Sequence, residues 1–188
     1  MGEKNDRKFV LNADQLRKSA SQGLALRAWR KRSKRNEIYI VLDNVLDTYN
    51  IGSIFRLADA VAAKKVYLCG GTETPPNPRI KKASINTTEW VEWEYAEDAV
   101  RVVREVREKI KDIQIVAIEQ TARAVPYDNF EYKMPICLVV GHESDGVSPE
   151  VLKMADAVVE LPMFGVNKSL NVMVSLGIVL YEVIERVS

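Results

Sequence analysis

Polar residues gather in three loops of this 188-residue chain, and each loop lies next to a short apolar segment. The first loop leads from Asn50 through Gly52 and Ser53 to Arg56. Asn50 can cap a helix that starts here, and the small residues leave its first turn open to a large ligand. Arg56 lies about 1.7 helical turns beyond Asn50, so its guanidinium can stay near the loop. A surface ion pair is the alternative role for Arg56.

The second loop, residues 141–148, directly follows an apolar segment and places glycines on either side of Glu143 and Asp145. Such a turn exposes backbone groups and carboxylates that can recognise the hydroxyl or amine groups of a ligand. A solvated turn that ends in a helix N-cap is the alternative interpretation.

The third loop, residues 162–170, leads to Asn171 at the start of a strongly apolar segment. Ser169 near its end can act as the N-cap of a helix. Asn171 is a poor helix former at a position where we expect the helix to be buried, so it needs a polar partner.

Several common catalytic signatures are absent from the sequence. No glycine-rich segment follows the first apolar run, which excludes a dinucleotide fingerprint and a phosphate-binding P-loop. Gly70 and Gly71 are expected to form a plain turn. His142 and two distant cysteines cannot build a transition-metal site, and Cys137 should be packed within a strand. We therefore predict neither a bound metal nor a cysteine nucleophile.

The order of apolar segments predicts the elements that position these loops. Short, nearly all-apolar runs are typical of strands buried on both faces, and they span residues 38–42, 66–69, 113–118, 136–140 and 157–161. Helices are predicted at residues 51–61, at 97–110, after Pro149 and at 170–187. The proline-rich segment 72–79 is predicted to be a loop.

Strands that alternate with helices predict an α/β domain over residues 37–188, with a parallel sheet flanked by helices. Ligands bind such sheets where the carboxyl ends of strands meet, so the loops to inspect are 43–51, 118–125, 141–148 and 162–170. No segment has the continuous apolar character of a membrane span or an export signal. Two cysteines in separate apolar segments fit a reducing compartment, so we expect a cytoplasmic protein without membrane association.

The net charge of +1 conceals an uneven distribution. Residues 1–36 contain eleven basic and three acidic residues, whereas the remainder contains 16 basic and 23 acidic ones. This basic N-terminal extension, a helix or arm, predicts a polyanionic partner, either nucleic acid or an anionic membrane surface. A solubilising tail and a mitochondrial presequence are the alternatives.

The three loops and their flanking residues resemble the three motifs of the SpoU branch of the SPOUT superfamily, which are S-adenosylmethionine-dependent RNA 2′-O-ribose methyltransferases. The first motif is similar to residues 42–60, the second to residues 138–147, and the third to residues 161–163 with 169–172. The resemblance implies a C-terminal deep trefoil knot, a homodimer, and S-adenosyl-L-methionine bound in the knot. It implies no metal, because the positive charge of the sulfonium already activates the methyl group.

The resemblance also implies roles for individual residues. Backbone groups would hold the cofactor at Ile118, Gly141, Leu161 and Leu170. The catalytic positions would be Arg56, Asn50, Glu143, Ser169 and Asn171. Because a guanidinium stays protonated in water, we expect Arg56 to clamp the target phosphate and orient the 2′-hydroxyl, with that phosphate assisting proton removal. Arg56 as the base itself is the alternative.

We expect the basic extension to anchor RNA through counterion release, with contacts at Arg27, Arg30, Lys31, Arg32, Lys34 and Arg35. Deleting residues 1–35 should then weaken RNA binding and leave cofactor affinity unchanged. The compact layout favours tRNA, at a guanosine or wobble-type position, over rRNA. An rRNA methylase and a non-catalytic RNA-binding protein with the knotted fold are the alternatives. Met173 and residues 83–90 depart from the family pattern.

Overall fold

A seven-stranded sheet forms the centre of the computed structural model, which describes residues 35–187. Its strands are β1 (Asn36–Asp43), β2 (Ala63–Cys69), β3 (Trp93–Ala96), β4 (Gln114–Ile118), β5 (Val125–Pro126), β6 (Ile136–Gly141) and β7 (Ala157–Glu160). The helices are α1 (Thr48–Ala60), α2 (Pro78–Ser84), α3 (Ala99–Lys109), α4 (Pro149–Met154) and α5 (Val172–Val187). Single 3₁₀ turns lie at Thr87–Glu89 and Tyr127–Asn129.

All ladders of the sheet are parallel, and the strand order is β3-β2-β1-β6-β4-β7-β5. β6 lies in the middle and all of its residues are buried, as expected for a strand covered on both faces. The predicted parallel sheet with flanking helices is confirmed. Within residues 35–187, no helix has the length and apolar character that crossing a membrane requires.

Alternate residues of β1 point to opposite faces of the sheet, as the two-residue period of a strand requires. Ile38, Ile40 and Leu42 join the hydrophobic cluster that contains residues of α1, α2 and α5. Tyr39 and Val41 join a second cluster with residues of α3 and α4. The sheet therefore separates two helical layers, and α1, α2 and α5 share one of them.

α1 and α2 pack closely because Gly52 has no side chain. A Cβ atom at Gly52 would lie 2.5 Å from the Cβ of Ala83 and 2.8 Å from the carbonyl oxygen of Ile80. Both distances are shorter than van der Waals contact. The glycine therefore lets α2 touch α1 about one turn from the N-terminus of α1.

The start of α1 differs from the sequence-based expectation. The helix begins at Thr48, and the side chain of Asp47 accepts hydrogen bonds from the amides of Tyr49 and Asn50. Asp47 is therefore the N-cap, and the capping role expected for Asn50 is wrong. The displacement by one turn leaves the carboxamide of Asn50 available for contacts outside its own helix.

The segment between β2 and β3 also differs from expectation. α2 begins at Pro78, within residues 72–79 that were expected to be a loop, because Asn77 caps the helix and Pro78 occupies its first turn. The sequence does not predict β3, which has four residues of intermediate or full exposure. It does not predict β5 either, since this strand consists of two exposed residues.

Candidate active site

The three polar loops meet at the carboxyl end of the sheet. β1 ends at Asp43, which pairs with Gly141 at the end of β6, so the first and second loops leave the sheet side by side. β4 and β7 end beside them, with Ile118 paired to Val159. The parallel sheet thus places the loops 43–51, 118–125, 141–148 and 162–170 at one edge, as expected.

A chain of two hydrogen bonds joins one residue from each motif. Nδ2 of Asn171 donates to Oδ1 of Asn50 at 3.0 Å, and Nδ2 of Asn50 donates to Oε1 of Glu143 at 2.9 Å. Asn50 is buried in the middle of this chain, with 6% of its surface exposed. The carboxamide of Asn50 therefore holds two residues that are distant in the sequence, Asn171 at 121 positions and Glu143 at 93 positions.

The carboxylate of Glu143 also binds the backbone that leads into α1. Its Oε2 accepts from the amide of Leu46 at 3.1 Å, and its Oε1 accepts from the amide of Asp47 at 3.0 Å. Partial burial raises the pKa of Glu143, but the hydrogen bonds from Asn50, Asp47 and Leu46 lower it by more, so the pKa lies below 4.5. Glu143 is therefore a hydrogen-bond acceptor that orients Asn50.

Asn171 caps α5 with the oxygen of the same carboxamide. Its Oδ1 accepts from the amides of Met173 at 2.9 Å and Val174 at 3.4 Å. The polar partner expected for Asn171 is present, but the residue is exposed, so the expected burial is wrong. Ser169 is not the cap of the helix; it is exposed and lines the adjacent cavity.

The loop 141–148 is a tight turn closed by two backbone hydrogen bonds between His142 and Gly146, of 3.0 Å and 2.9 Å. Gly146 has a φ of +72°, a conformation that favours glycine. A Cβ at Gly141 would collide with the carbonyl group of Gly146, so this glycine allows the turn to fold back on β6. The expected backbone-rich turn is present.

Glu119 supports this turn, although no motif in the sequence marks it. Its Oε2 accepts from the amide of Val147 at 3.0 Å, and its Oε1 accepts from the amide of Gln120 at 2.8 Å. A Cβ at Gly146 would overlap the Glu119 carboxylate, which shows how closely the side chain lies under the turn. Its position immediately after a predicted strand is the feature of the sequence that could indicate a role at this end of the sheet.

A cavity of about 350 Å³ opens beside the hydrogen-bonded chain. It is lined by all four expected cofactor positions, Ile118, Gly141, Leu161 and Leu170, and by the expected catalytic residues Glu143, Ser169 and Asn171. The volume is within the range of pockets that take small organic ligands. Among residues 35–187, its lining includes three carboxylates, Glu119, Glu143 and Glu160, and no lysine or arginine. Apolar walls and an acidic rim fit a ligand that is partly apolar and positively charged.

Arg56 does not line this cavity, and neither does Asn50, which reaches it through Asn171 and Glu143. The guanidinium of Arg56 is exposed on α1. Within residues 35–187 no ion pair holds it, so the surface ion pair considered for Arg56 is not observed there. The structure thus brings together four of the five expected catalytic residues and leaves Arg56 outside the cluster.

The remaining expected residues lie elsewhere. Arg27, Arg30, Lys31, Arg32 and Lys34 are outside the described residues. Arg35 donates from Nη1 to the carbonyl oxygen of Ala63 at 3.3 Å and therefore contacts the start of β2. Cys69 and Cys137 are buried free thiols, and burial raises the pKa of each to about 12, so neither is a ready nucleophile. Among the residues that the structure describes, no group of three or more side chains could hold a metal ion.

Comparison with known proteins points to one family. The model of the SpoU rRNA Methylase family matches residues 37–181. The tRNA (guanosine(18)-2′-O)-methyltransferase of Aquifex aeolicus (strain VF5) is 35% identical over 153 residues, which cover 79% of this chain and 69% of that protein. The crystal structure of the A. aeolicus TrmH/SpoU tRNA modifying enzyme has a TM-score of 0.76 at 31% identity, covering 88% of this chain and 82% of that one. The AdoMet-bound rRNA methyltransferase from Sinorhizobium meliloti has a TM-score of 0.74 at 29% identity, covering 82% of this chain and 58% of that one.

Proposed function

The chain belongs to the SpoU rRNA Methylase family, and we propose that it transfers a methyl group from S-adenosyl-L-methionine to a ribose 2′-hydroxyl of RNA. The observation that carries this proposal is the series of hydrogen bonds that joins Asn171, Asn50 and Glu143 at the rim of an acidic cavity. We propose tRNA, at a guanosine, as the preferred substrate, because the A. aeolicus relative is a tRNA guanosine methyltransferase. The chain spans 69% of that relative and 58% of the rRNA methyltransferase from S. meliloti.

The cavity suits S-adenosyl-L-methionine in charge and in volume. When bound, this cofactor supplies a methyl group on a positively charged sulfonium. Ile118, Leu161 and Leu170 would provide the apolar walls and backbone groups around its adenine and methionine ends. The carboxylates of Glu119 and Glu143 give the site a negative potential, which favours a cation.

The polar residues of the site would position the acceptor. In-line displacement needs the 2′-hydroxyl held in near-attack geometry, and Asn50 and Asn171 are fixed by hydrogen bonds before any ligand arrives. Ser169 also lines the cavity and can bind the ribose. We propose that Arg56 clamps the target phosphate, orients the hydroxyl, and keeps its own proton, with the phosphate assisting proton removal.

The exposed apolar surface of α5 supports the homodimer that we propose. Val174, Ile178 and Tyr181 lie on one side of this helix, at helical spacing, and all three are exposed. Leu46, in the loop before α1, and Tyr49, in the first turn of α1, are also exposed large side chains. A second copy that covers these residues would bury apolar surface next to the site, which is the usual driving force of subunit association.

The path of the third loop supports the C-terminal knot that we propose. β7 lies beyond β4, on the side of the sheet away from β1. The residues that follow β7 nevertheless bring Asn171 to Asn50, in the first turn of the helix after β1. The connection therefore runs along the carboxyl end of the sheet from β7 towards α1, as the proposed knot requires. Free buried thiols are consistent with the cytoplasmic location that we propose.

A methyl-transfer assay tests the proposed function. Purified full-length protein is incubated with radiolabelled S-adenosyl-L-methionine and with unmodified tRNA or rRNA in parallel. We expect label in tRNA, and much less in rRNA. Label in rRNA alone would show that rRNA, not tRNA, is the substrate. Binding of RNA without methyl transfer to tRNA or rRNA would indicate a non-catalytic RNA-binding protein.

A further inference from the structure

α2 presents three exposed basic side chains and no acidic ones. These are Arg79, Lys81 and Lys82, within a helix of seven residues. Among residues 35–187, none of the three takes part in an ion pair. By contrast, Arg101 and Lys109 on α3 share Glu105. The cations of α2 are therefore exposed and, among the described residues, unpaired, three within one short helix, in a body that carries more acidic than basic residues.

The stability of α2 accounts for only part of this charge. Lys81 and Lys82 lie in the last turn, where cations interact favourably with the helix dipole. Arg79 lies in the first turn, where a cation is unfavourable, and the side chain of Asn77 already caps the amide there. Glu89 lines the same pocket as Lys81, but no ion pair among the described residues joins them. The three cations are therefore available to a partner of opposite charge.

The position of α2 places these cations next to the candidate active site. Gly52 of α1 touches the backbone of α2, and Asn50, two residues earlier, belongs to the hydrogen-bonded chain of the site. Arg56 lies four residues after Gly52, hence on the same side of α1. An RNA strand with its target ribose at Asn50 and Asn171 must continue across neighbouring surface in both directions.

We propose that α2 is a docking surface for the RNA backbone, on which Arg79, Lys81 and Lys82 bind phosphates of nucleotides flanking the target ribose. The inference rests on the proposed function and extends it to a surface outside the three motifs. The matching chemistry is that of phosphodiester oxygens, which lysine and arginine bind without regard to base sequence. Charge complementarity with a polyanion is the basis of the assignment.

The salt dependence of RNA binding tests this inference. We compare wild-type protein with R79Q/K81Q/K82Q and measure the Kd for unmodified tRNA by fluorescence anisotropy between roughly 50 and 200 mM salt. Loss of three phosphate contacts should reduce the slope of log K against log salt by about 2 to 3. The affinity for S-adenosyl-L-methionine should not change, because none of the three residues lines the cavity.

A matched control carries the same loss of charge on the opposite helical layer. Arg104, Lys111 and Lys153 are exposed on or next to α3 and α4, so R104Q/K111Q/K153Q should keep the slope of the wild type. The single variant R79Q, with a slope reduced by about 0.7 to 0.9, serves if the triple variant unfolds.

The outcomes separate the two proposals. An unchanged slope in the α2 variants, or an equal loss in the control, overturns the docking surface, while methyl transfer by the wild type still supports the proposed function. A wild-type protein that binds no RNA and transfers no methyl group overturns both.

Discussion

Asn171 and Asn50 are joined through a carboxamide whose orientation is set by a helix cap. Because Oδ1 of Asn171 accepts from the amides at the start of α5, its Nδ2 must face Asn50. Asn50 then presents its oxygen to Asn171 and its own nitrogen to Glu143. Both hydrogen bonds therefore point the same way, from Asn171 at the helix cap to the Glu143 carboxylate. Each residue fixes the orientation of the next one.

Substitutions at Asn171 should separate capping from catalysis. N171D keeps an oxygen for the cap but replaces the donor to Asn50 by an acceptor, so we expect the cap to persist and turnover to fall by about 100-fold or more. N171A should lose turnover as well and also about 1 kcal/mol of stability. Thermal unfolding and single-turnover methyl transfer measure the two effects. Equal stability of N171A and wild type would show that the cap is dispensable.

Protonation of Glu143 should weaken the protein in acid. Its folded-state pKa lies below the ordinary value of 4.5, so its stabilising effect is present above pH 4.5 and is lost as the pH falls through the folded-state pKa. E143Q should therefore have a lower Tm than wild type at neutral pH, and the gap should narrow as the pH falls below 4.5. Calorimetric scans over this range, with E150Q on exposed Glu150 as control, measure the gap. A gap that is independent of pH would contradict the assigned ionisation.

Replacing Arg56 should affect turnover and spare cofactor binding. Because Arg56 lies outside the cavity, R56A should bind S-adenosyl-L-methionine as the wild type does. Methyl transfer should fall by about 100-fold or more, as expected when a group that orients the reacting oxygen is removed. Isothermal titration measures the cofactor affinity and a transfer assay measures turnover. R104A is the control, and we expect it to change neither quantity. Near-normal transfer by R56A would remove Arg56 from the mechanism.

Glu119 should influence the cofactor site through the turn it supports. In E119A the amides of Val147 and Gln120 lose their acceptor, so residues 141–148 should loosen. We expect the affinity for S-adenosyl-L-methionine to fall by about tenfold. Titration calorimetry measures the change, and E108A on the exposed side of α3 is the control. Wild-type affinity in E119A would show that the turn holds its shape alone.

Two glycines in helices should respond to alanine in opposite ways. In G52A the new methyl group would overlap α2, so we expect a loss of about 1 to 3 kcal/mol. In G177A the methyl group would meet Leu57 of α1 at 3.4 Å, an ordinary contact, and the gain in helix propensity should stabilise α5 by about 0.5 to 1 kcal/mol. Urea unfolding of both variants gives the comparison. Destabilisation of both by the same amount would mean that the contact with α2 is not the cause.

The sequence predicts the parts of the fold that have a strong local pattern. The apolar run of β6 and the periodic valines of α3 are examples, and both elements lie where they were expected. Asn50 was misplaced because Asp47, one turn earlier, is an equally good cap and lies in the same polar stretch. α2 was missed because prolines dominate its approach, although Asn77 and Pro78 together form a helix start.

Tertiary contacts account for the rest of what the sequence leaves undetermined. The need of Asn171 for a polar partner follows from its residue type, but the partner is 121 residues away, and only the sheet brings it close. Glu119 has no motif of its own, because its role depends on the turn that packs above it. The position of Arg56 outside the cavity likewise depends on how α1 lies against the sheet.

The identity of the methylated nucleoside tests the central claim most directly. Unmodified tRNA is incubated with the protein and S-adenosyl-L-methionine, digested to nucleosides, and analysed by mass spectrometry with N171D as the matched control. We expect a guanosine that carries the methyl group on its ribose in the wild-type reaction and none with N171D. A methyl group on a base, or no methylated nucleoside in any RNA offered, would contradict the account.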